Sequence, residues 1–164
     1  MPLLLRAWMP VERAGDVILV ALLGLMTAVC LMQVVWRYLF AWPLTWSEET
    51  ANYLLVWCSA LSSWQAWRWR SHLGFDLLTA KAPASAQRLV TLLGEAAVGG
   101  FGLATAILSW RLLDLTWDQP SAILELPMVW VYAAWPVSGL LCAGDVLVTW
   151  ATGRRQAYAP VDIT

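Results

Sequence analysis

Two adjacent carboxylates, Glu48 and Glu49, come directly before an apolar run in residues 43–57, which read PLTWSEETANYLLVW. A pair of acids can transfer protons, can bind a cation inside a membrane, or can mark the start of a helix. The order TWSE supports the third interpretation, because it matches a capping box in which Thr45 and Glu48 bond each other's backbone amides. Both acids would lie in the first helical turn, where the helix dipole favours negative charge. A structural role therefore accounts for both.

A third acid, Glu95, lies inside a long apolar stretch, about seven residues and therefore ~10 Å along a helix from Arg88. An ionisable residue within a membrane is a functional candidate, so Glu95 could serve as a proton or cation site. In the structural alternative, Glu95 binds a basic residue at the inner membrane boundary or on a neighbouring chain. The candidates within this chain are Arg68, Arg70 and His72. We favour the structural interpretation.

The sequence lacks the residues that other familiar catalytic and cofactor sites need. Haem between membrane helices commonly needs paired histidine ligands, whereas the chain has one histidine, His72, in a predicted loop. Cys30, Cys58 and Cys142 fall in three separate apolar stretches, which gives neither a Cys-x-x-Cys pair nor a metal cluster. Serines in these stretches have no histidine to activate them, and the sequence has no glycine-rich phosphate loop. We therefore predict no catalytic, metal or cofactor site, and a protein that is not an enzyme.

The composition is typical of a membrane protein. Hydrophobic residues make up 60% of the 164 residues and charged residues 13%, against roughly 45–50% apolar and about 25% charged in soluble domains. Four stretches contain no charged residue, and each is long enough or nearly long enough for the roughly 20 residues that a spanning helix needs. They are residues 17–36, 50–67, 96–110 and 126–144. We predict one all-α membrane domain over residues 1–164, with four transmembrane helices at about 16–40, 46–69, 86–114 and 127–150.

The basic residues indicate how these helices cross the membrane. Of the ten Lys and Arg residues, Arg37 and Arg111 fall on one side of the predicted spans and the others on the opposite side. By the positive-inside rule, both termini and the loop between helices two and three then lie in the cytoplasm. This predicts an antiparallel bundle that contacts membrane lipids. A net charge of −1 gives no indication of a nucleic-acid partner.

Prolines and small residues add local detail. The amino-terminal MPLLLRAWMPVERAG mixes apolar and basic residues, which predicts a short interfacial segment that ends at Pro10. Small residues recur at 96, 100 and 104, a spacing that lets helices approach closely in lipid. Pro127 suits the first turn of helix four, and Pro136 predicts a kink within that helix.

Residues 36–78 resemble the small membrane subunit of the tripartite ATP-independent periplasmic (TRAP) transporters. The resemblance depends on an ordered set of residues: Arg37 and Tyr38 closing helix one; Trp46, Glu48, Glu49 and Tyr53 opening helix two after Pro43; Trp57 within it; and His72, Gly74 and Asp76 after it. These residues are our candidates for subunit contacts. The four-helix layout and the chain length extend the similarity to nearly the whole chain.

The resemblance implies a small accessory subunit of the bacterial inner (cytoplasmic) membrane, packed against a much larger multi-helix permease. That permease would carry the substrate and sodium sites, so no cofactor is expected in this chain. A periplasmic binding protein would deliver an organic acid, and a sodium gradient would drive its uptake. Arg37, Glu48 and Glu49 would hold the outer end of the first hairpin. Apart from the resemblance, the Trp-rich stretch WQAWRWR makes Arg68 and Arg70 candidates for contact with lipid headgroups, although we favour an ordinary aromatic belt at the membrane boundary.

An independent small four-helix channel, exchanger or membrane enzyme is the alternative, with Glu95 as its working group. Such a protein needs a polar pathway through its spans. The middles of the predicted helices are apolar and do not offer one. We therefore prefer the accessory-subunit interpretation.

Overall fold

The computed structural model describes residues 2–68 and 83–153. These residues form five helices: α1, Pro2–Leu39; α2, Thr45–Arg68; α3, Ala84–Thr116; α4, Val129–Tyr132; and α5, Ala134–Thr152. The predicted all-α class is confirmed. Helices α2 and α3 begin and end within two residues of their predicted bounds.

Three helical stretches are long and apolar enough to cross a membrane: Leu4–Leu39, Ala86–Thr116 and Val129–Thr152, the last of which joins α4 to α5. Helix α2 has 24 residues, enough for a crossing, but its serines, threonines and glutamine make it less apolar. Length and composition in the described residues therefore support three of the four predicted spans. The fourth span and the cytoplasmic termini stay predictions.

Helix α1 runs without a break through Pro10, so the predicted separate interfacial segment is wrong. Proline removes one backbone hydrogen bond and usually ends or kinks a helix. Here contacts on both sides of the proline hold the helix in place, through Trp8 on one side and Glu12 and Asp16 on the other. At 1.5 Å per residue the 38 residues reach about 57 Å, well beyond a hydrocarbon core of about 30 Å.

The helices pack as an open row in the order α1, α2, α5, α3. Helix α2 packs between α1 and α5, and α5 packs against α3. Within the described ranges α1 and α3 do not contact each other, so the row does not close into a ring. The outward faces of α1 and α3 consequently expose many large apolar side chains, as expected for surfaces that meet lipid.

Glycine lets α3 and α5 approach closely, although not at the predicted positions. A β-carbon on Gly102 would lie 2.7 Å from the Gly139 carbonyl oxygen, and one on Gly99 would lie 3.1 Å from Val146. The predicted stripe at 96, 100 and 104 lies instead on an exposed face, and Gly100 has no atom within 4 Å of that position. Two stripes of small residues run along α3, and spacing alone does not distinguish the packed stripe from the exposed one.

Trp64 occupies the centre of the row. Its side chain is fully buried, and Gly15 of α1 provides the space, because a β-carbon there would overlap the indole ring. The Trp64 indole nitrogen has no hydrogen-bond partner among the described residues. Close by, the Ser138 hydroxyl of α5 donates to the Ala60 carbonyl of α2 at 2.5 Å, which joins the middle two helices.

Two prolines shape the chain around α4. Pro136 has no N–H to bond the Tyr132 carbonyl, and α4 and α5 separate at Ala133, directly after that carbonyl. The predicted kink therefore coincides with an interruption of the helix. Pro127 lies before α4 and not in its first turn, because it pairs with Pro120 in an isolated bridge.

The two glycine stripes of α3 give a matched test of this packing. We expect Gly102→Ala to lower the free energy of unfolding by about 1–3 kcal/mol, because the new methyl must displace the α5 backbone. Gly100→Ala is the control, and we expect a gain of up to about 1 kcal/mol from better helix propensity. Thermal unfolding of the detergent-purified variants measures both. Equal effects of the two substitutions would contradict the packing described.

Candidate functional site

Residues 117–128, which we call the outer loop for its predicted side of the membrane, are held in shape by pairing between their two halves. The Ser121 amide donates to the Leu126 carbonyl at 2.8 Å, and the Leu126 amide donates to the Ser121 hydroxyl at 3.2 Å. The Met128 amide donates to the Gln119 carbonyl at 2.9 Å. These bonds close the loop before α4 begins.

Glu49 of α2 binds the outer loop through three consecutive backbone amides. Its Oε2 atom accepts from the amides of Ile123 at 3.0 Å and Leu124 at 2.9 Å, and its Oε1 atom accepts from the Ala122 amide at 3.1 Å. The Tyr53 hydroxyl, one turn along α2, also donates to Oε1. One carboxylate thus receives four hydrogen bonds, an arrangement similar to the backbone nests that bind anions.

Tyr53 and Trp57 extend this contact along the same face of α2, because residues four apart are neighbours on a helix. The Tyr53 hydroxyl lies 3.4 Å from the Met128 sulfur, and the Trp57 indole N–H donates to the Trp130 carbonyl at 3.1 Å. We call this set of contacts, centred on Glu49, the outer brace. Sequence reasoning grouped the three α2 residues but missed the loop amides, which carry no side-chain signal.

Glu48 does not form the predicted capping box. Helix α2 already begins at Thr45, whereas a capping residue precedes the first helical residue. The Glu48 carboxylate instead accepts from the Gln33 side-chain amide of α1 at 3.2 Å. Glu48 therefore joins the two helices at the outer end of the hairpin. Gln33 was not among the predicted site residues.

The other motif residues differ in how they are placed. Arg37 and Tyr38 lie in the last turn of α1 with exposed side chains, and Arg37 forms no ion pair within residues 2–68 and 83–153. Its predicted contact at the outer end of the hairpin is therefore not seen. Trp46 is half-buried, and its carbonyl accepts from Thr50 at 2.9 Å. The remaining candidates lie outside the described residues: Arg70, His72, Gly74 and Asp76.

Arg68 joins the inner end of the same hairpin. Its guanidinium donates to Asp16 at 2.8 Å, lies 3.8 Å from Glu12 and sits 5.2 Å from the centre of the Trp64 ring. Gln65 donates to the same Asp16 oxygen at 2.6 Å. The Arg68 side chain is 8% exposed, so it faces α1 and not lipid headgroups, for which it was a candidate. We call this set the inner clasp. Glu12 and Asp16 were missed, although both are acids opposite the last basic residue of α2.

Two further acids are buried and bind indole groups. Glu95 of α3, 1% exposed, accepts from the Trp150 indole of α5 at 2.8 Å. Asp145 of α5 accepts from the Trp8 indole of α1 at 3.1 Å. Arg68, one of the predicted partners of Glu95, is engaged in the inner clasp. These contacts favour the structural interpretation of Glu95, because its carboxylate joins α3 to α5.

The buried and half-buried acids described above thus each connect two elements of the chain. Among residues 2–68 and 83–153, no group of three or more His, Cys, Asp and Glu side chains is placed to hold a metal ion. The candidate site is the outer brace together with the exposed surface around it. Its geometry fixes a loop in one position and offers no nucleophile paired with a base in the described residues.

Comparisons with known proteins agree on one family. A family model described as "Tripartite ATP-independent periplasmic transporters, DctQ component" matches residues 26–156. This range contains the outer brace and excludes Glu12 and Asp16 of the inner clasp.

Three curated proteins are similar to the chain. A Haemophilus influenzae protein, provisionally named a TRAP transporter small permease protein, is 24% identical over 139 residues, covering 85% of this chain and 86% of the relative. The C4-dicarboxylate TRAP transporter small permease protein DctQ of Vibrio cholerae is 25% identical over 122 residues, or 71% and 53% of the two chains. The isethionate TRAP transporter permease protein DctMQ of Oleidesulfovibrio alaskensis is 32% identical over 107 residues, or 62% and 16%. The matches thus span about half of the second relative and a small part of the third.

The outer brace predicts a local effect of removing its acid. Glu49→Ala removes the carboxylate that accepts hydrogen bonds from the backbone amides of residues 122–124. We expect amide hydrogen exchange at these residues to become faster by about one order of magnitude or more, because an amide released from its acceptor exchanges more readily with water. Asp118→Asn, an exposed change in the same loop, is the control and should leave exchange unchanged. Unaltered exchange in Glu49→Ala would rule out the brace.

The inner clasp predicts a larger loss of stability. Arg68→Leu removes the guanidinium that pairs with Asp16 and lies beside Glu12, and breaking a buried pair costs about 3–5 kcal/mol. We expect about 3 kcal/mol, the low end, because the Asp16 side chain is 40% exposed and partly screened. Denaturant unfolding in mild detergent measures this free energy. Arg13→Gln, an exposed change on α1, should shift it little, and a comparable loss there would show that charge number and not the clasp matters.

Proposed function

The chain belongs to the DctQ component family of the tripartite ATP-independent periplasmic transporters, and from this premise we propose how it acts in transport. Family membership makes it a small permease subunit, a transporter component and not an enzyme. We propose that it binds a large multi-helix permease in the bacterial inner membrane. The permease carries the substrate and sodium sites, and this chain needs no cofactor of its own.

The relative from Oleidesulfovibrio alaskensis supports the partnership with a larger permease. The region similar to this chain is 16% of that protein, which is named a permease as a whole. A region that forms one part of a longer permease elsewhere is expected to work beside the remainder when it is a separate chain. The names of two relatives, for C4-dicarboxylate and isethionate, support an organic acid as the transported solute.

The observation that carries the accessory role is the use of intramembrane acids as structural connections. Glu95 and Asp145 each bind an indole of a neighbouring helix, and Glu95 is almost completely buried. A proton or cation carrier acting alone would need such an acid to face a polar pathway. This arrangement gives little support to the alternative of an independent channel, exchanger or enzyme that uses Glu95.

We further propose a scaffold with four spans and cytoplasmic termini, in which the outer loop faces the periplasm. The outer brace fixes a loop that exposes Trp117, Ile123, Leu126 and nearby Trp130. A fixed loop with apolar side chains is suited to contact the periplasmic binding protein while that protein delivers its solute. Arg37 and Tyr38, exposed at the same end, are further candidates for this contact.

Affinity purification of the chain from its native membrane in mild detergent tests the proposal. We expect mass spectrometry to identify a large multi-helix permease in stoichiometric amount. Liposomes that contain both subunits should take up an organic acid when the binding protein and an inward sodium gradient are present, and should not need ATP. Recovery of the chain alone, or uptake by the permease at an undiminished rate without it, would contradict the accessory role.

A further inference from the structure

One face of α2 is exposed and polar along most of the helix. Positions 48, 52, 55, 59 and 62 recur every three or four residues and therefore lie along one side of the helix. All five side chains are exposed, and they lie opposite the buried Leu61 and Trp64. We call this side the α2 polar face; its residues are Glu48, Asn52, Leu55, Ser59 and Ser62, with Ser63 beside them.

The other long helices expose a different kind of surface. The outward side chains of α1, α3 and α5 are mostly large and aliphatic or aromatic, such as Val20, Phe101 and Leu147. Lipid chains cover such side chains without loss of hydrogen bonds. The α2 polar face exposes an amide, hydroxyls and a carboxylate, and the hydrocarbon of lipid chains provides no hydrogen-bond partner for these groups.

Part of this polarity is satisfied within the helix and part is not. The hydroxyls of Ser59 and Ser63 donate to carbonyls four residues earlier, at 2.7 and 2.9 Å. The side chains of Asn52 and Ser62 have no hydrogen-bond partner in the described parts of the chain. The Glu48 carboxylate is bound to a neutral amide and forms no ion pair within those parts. Asn52 and Ser62 therefore have hydrogen-bonding groups that another protein can satisfy, and the Glu48 carboxylate can accept a cation in addition to its bond from Gln33.

The position of these groups identifies the kind of partner. Ser62 lies fourteen residues beyond Glu48, about 21 Å along the helix, so the face crosses most of a hydrocarbon core of about 30 Å. A soluble periplasmic protein cannot cover a surface at that depth. The partner must be a membrane-embedded protein.

A second copy of this chain fits the face poorly. Two copies in one membrane pack around an axis along the membrane normal, which brings each residue of the face opposite itself. Glu48 would then face Glu48, and like charges at close range repel. A different protein with a basic residue at the level of Glu48 avoids this repulsion.

We propose that the α2 polar face is the docking surface for the large permease subunit, an inference that rests on the proposed function above. The matching surface is a transmembrane helix with small or polar residues opposite Asn52 and Ser62, because such residues allow close approach and hydrogen bonds between helices. It carries Lys or Arg near the outer membrane boundary, opposite Glu48. The aliphatic faces of α1 and α3 then contact lipid.

Site-specific photo-crosslinking in native membranes tests which face meets the permease. A benzophenone amino acid replaces Leu55 on the α2 polar face, or replaces Leu25 of α1 or Leu103 of α3 as controls. These three leucines are 51%, 53% and 50% exposed, so differences in crosslinking do not arise from accessibility within the chain. We expect a crosslink to the permease from position 55 and lipid adducts from the controls.

Other crosslinking results would distinguish failure of the proposed docking surface from failure of the proposed function. Permease crosslinks from position 25 or 103, and none from 55, would overturn the docking surface while leaving the accessory function intact. Crosslinks from position 55 to a second copy of this chain would also overturn it. Absence of the permease from every sample and from the affinity purification would overturn the proposed function itself.

A pair of substitutions measures how much the polar side chain of Asn52 contributes to the affinity for the permease. Asn52→Leu should weaken the complex by about three- to thirtyfold, which corresponds to 0.6–2 kcal/mol for one hydrogen bond between membrane helices. Thr27→Leu is the matched control, because Thr27 is an exposed polar residue on the α1 face whose hydroxyl is bound within its own helix. Titration of detergent-purified subunits gives both dissociation constants. Equal affinities for Asn52→Leu and the unmodified chain would overturn the role of Asn52.

Discussion

A polar group on a membrane helix cannot rely on water, so it must find its partner within protein. In this chain that requirement explains why the helices lie in the order seen. Arg68 and Glu48, near the two ends of α2, bind α1, while Glu49 binds the segment that leads into α5. Helix α2 consequently lies between its two neighbours, and α3 is added to the row through α5.

Indole groups meet the same requirement at other contacts between the helices. An indole has a large apolar surface and a single N–H donor, so it can pack like a hydrophobic side chain and still bind an acid. Trp8, Trp57 and Trp150 all donate between elements that are far apart in sequence. The high tryptophan content therefore serves internal connections as well as the membrane boundary that tryptophans commonly mark.

The predicted bounds of α2 and α3 lie within two residues of those seen, although the charge-free stretch 96–110 covers only the middle of α3, and the predicted kink at Pro136 lies close to the interruption at Ala133. The Glu49 contact could not be predicted, because its partners are backbone amides that every residue possesses. The packed face of α3 was also missed, since two small-residue stripes compete and only the neighbouring α5 decides between them. The predicted break at Pro10 was wrong for a related reason. The local propensity of proline favours a break, whereas tertiary contacts on either side of Pro10 hold the helix continuous.

The unbroken length of α1 gives the row a mechanical property. Trp8 is fixed to α5 near one membrane surface and Gln33 to α2 near the other, and Gln33 lies 25 positions after Trp8, so this part of α1 forms a rod of about 37 Å. A rigid rod held at both ends transmits a push or a twist from one side of the bilayer to the other without needing a moving part. Force applied at the outer end of α2 is therefore resisted by the inner end of α5.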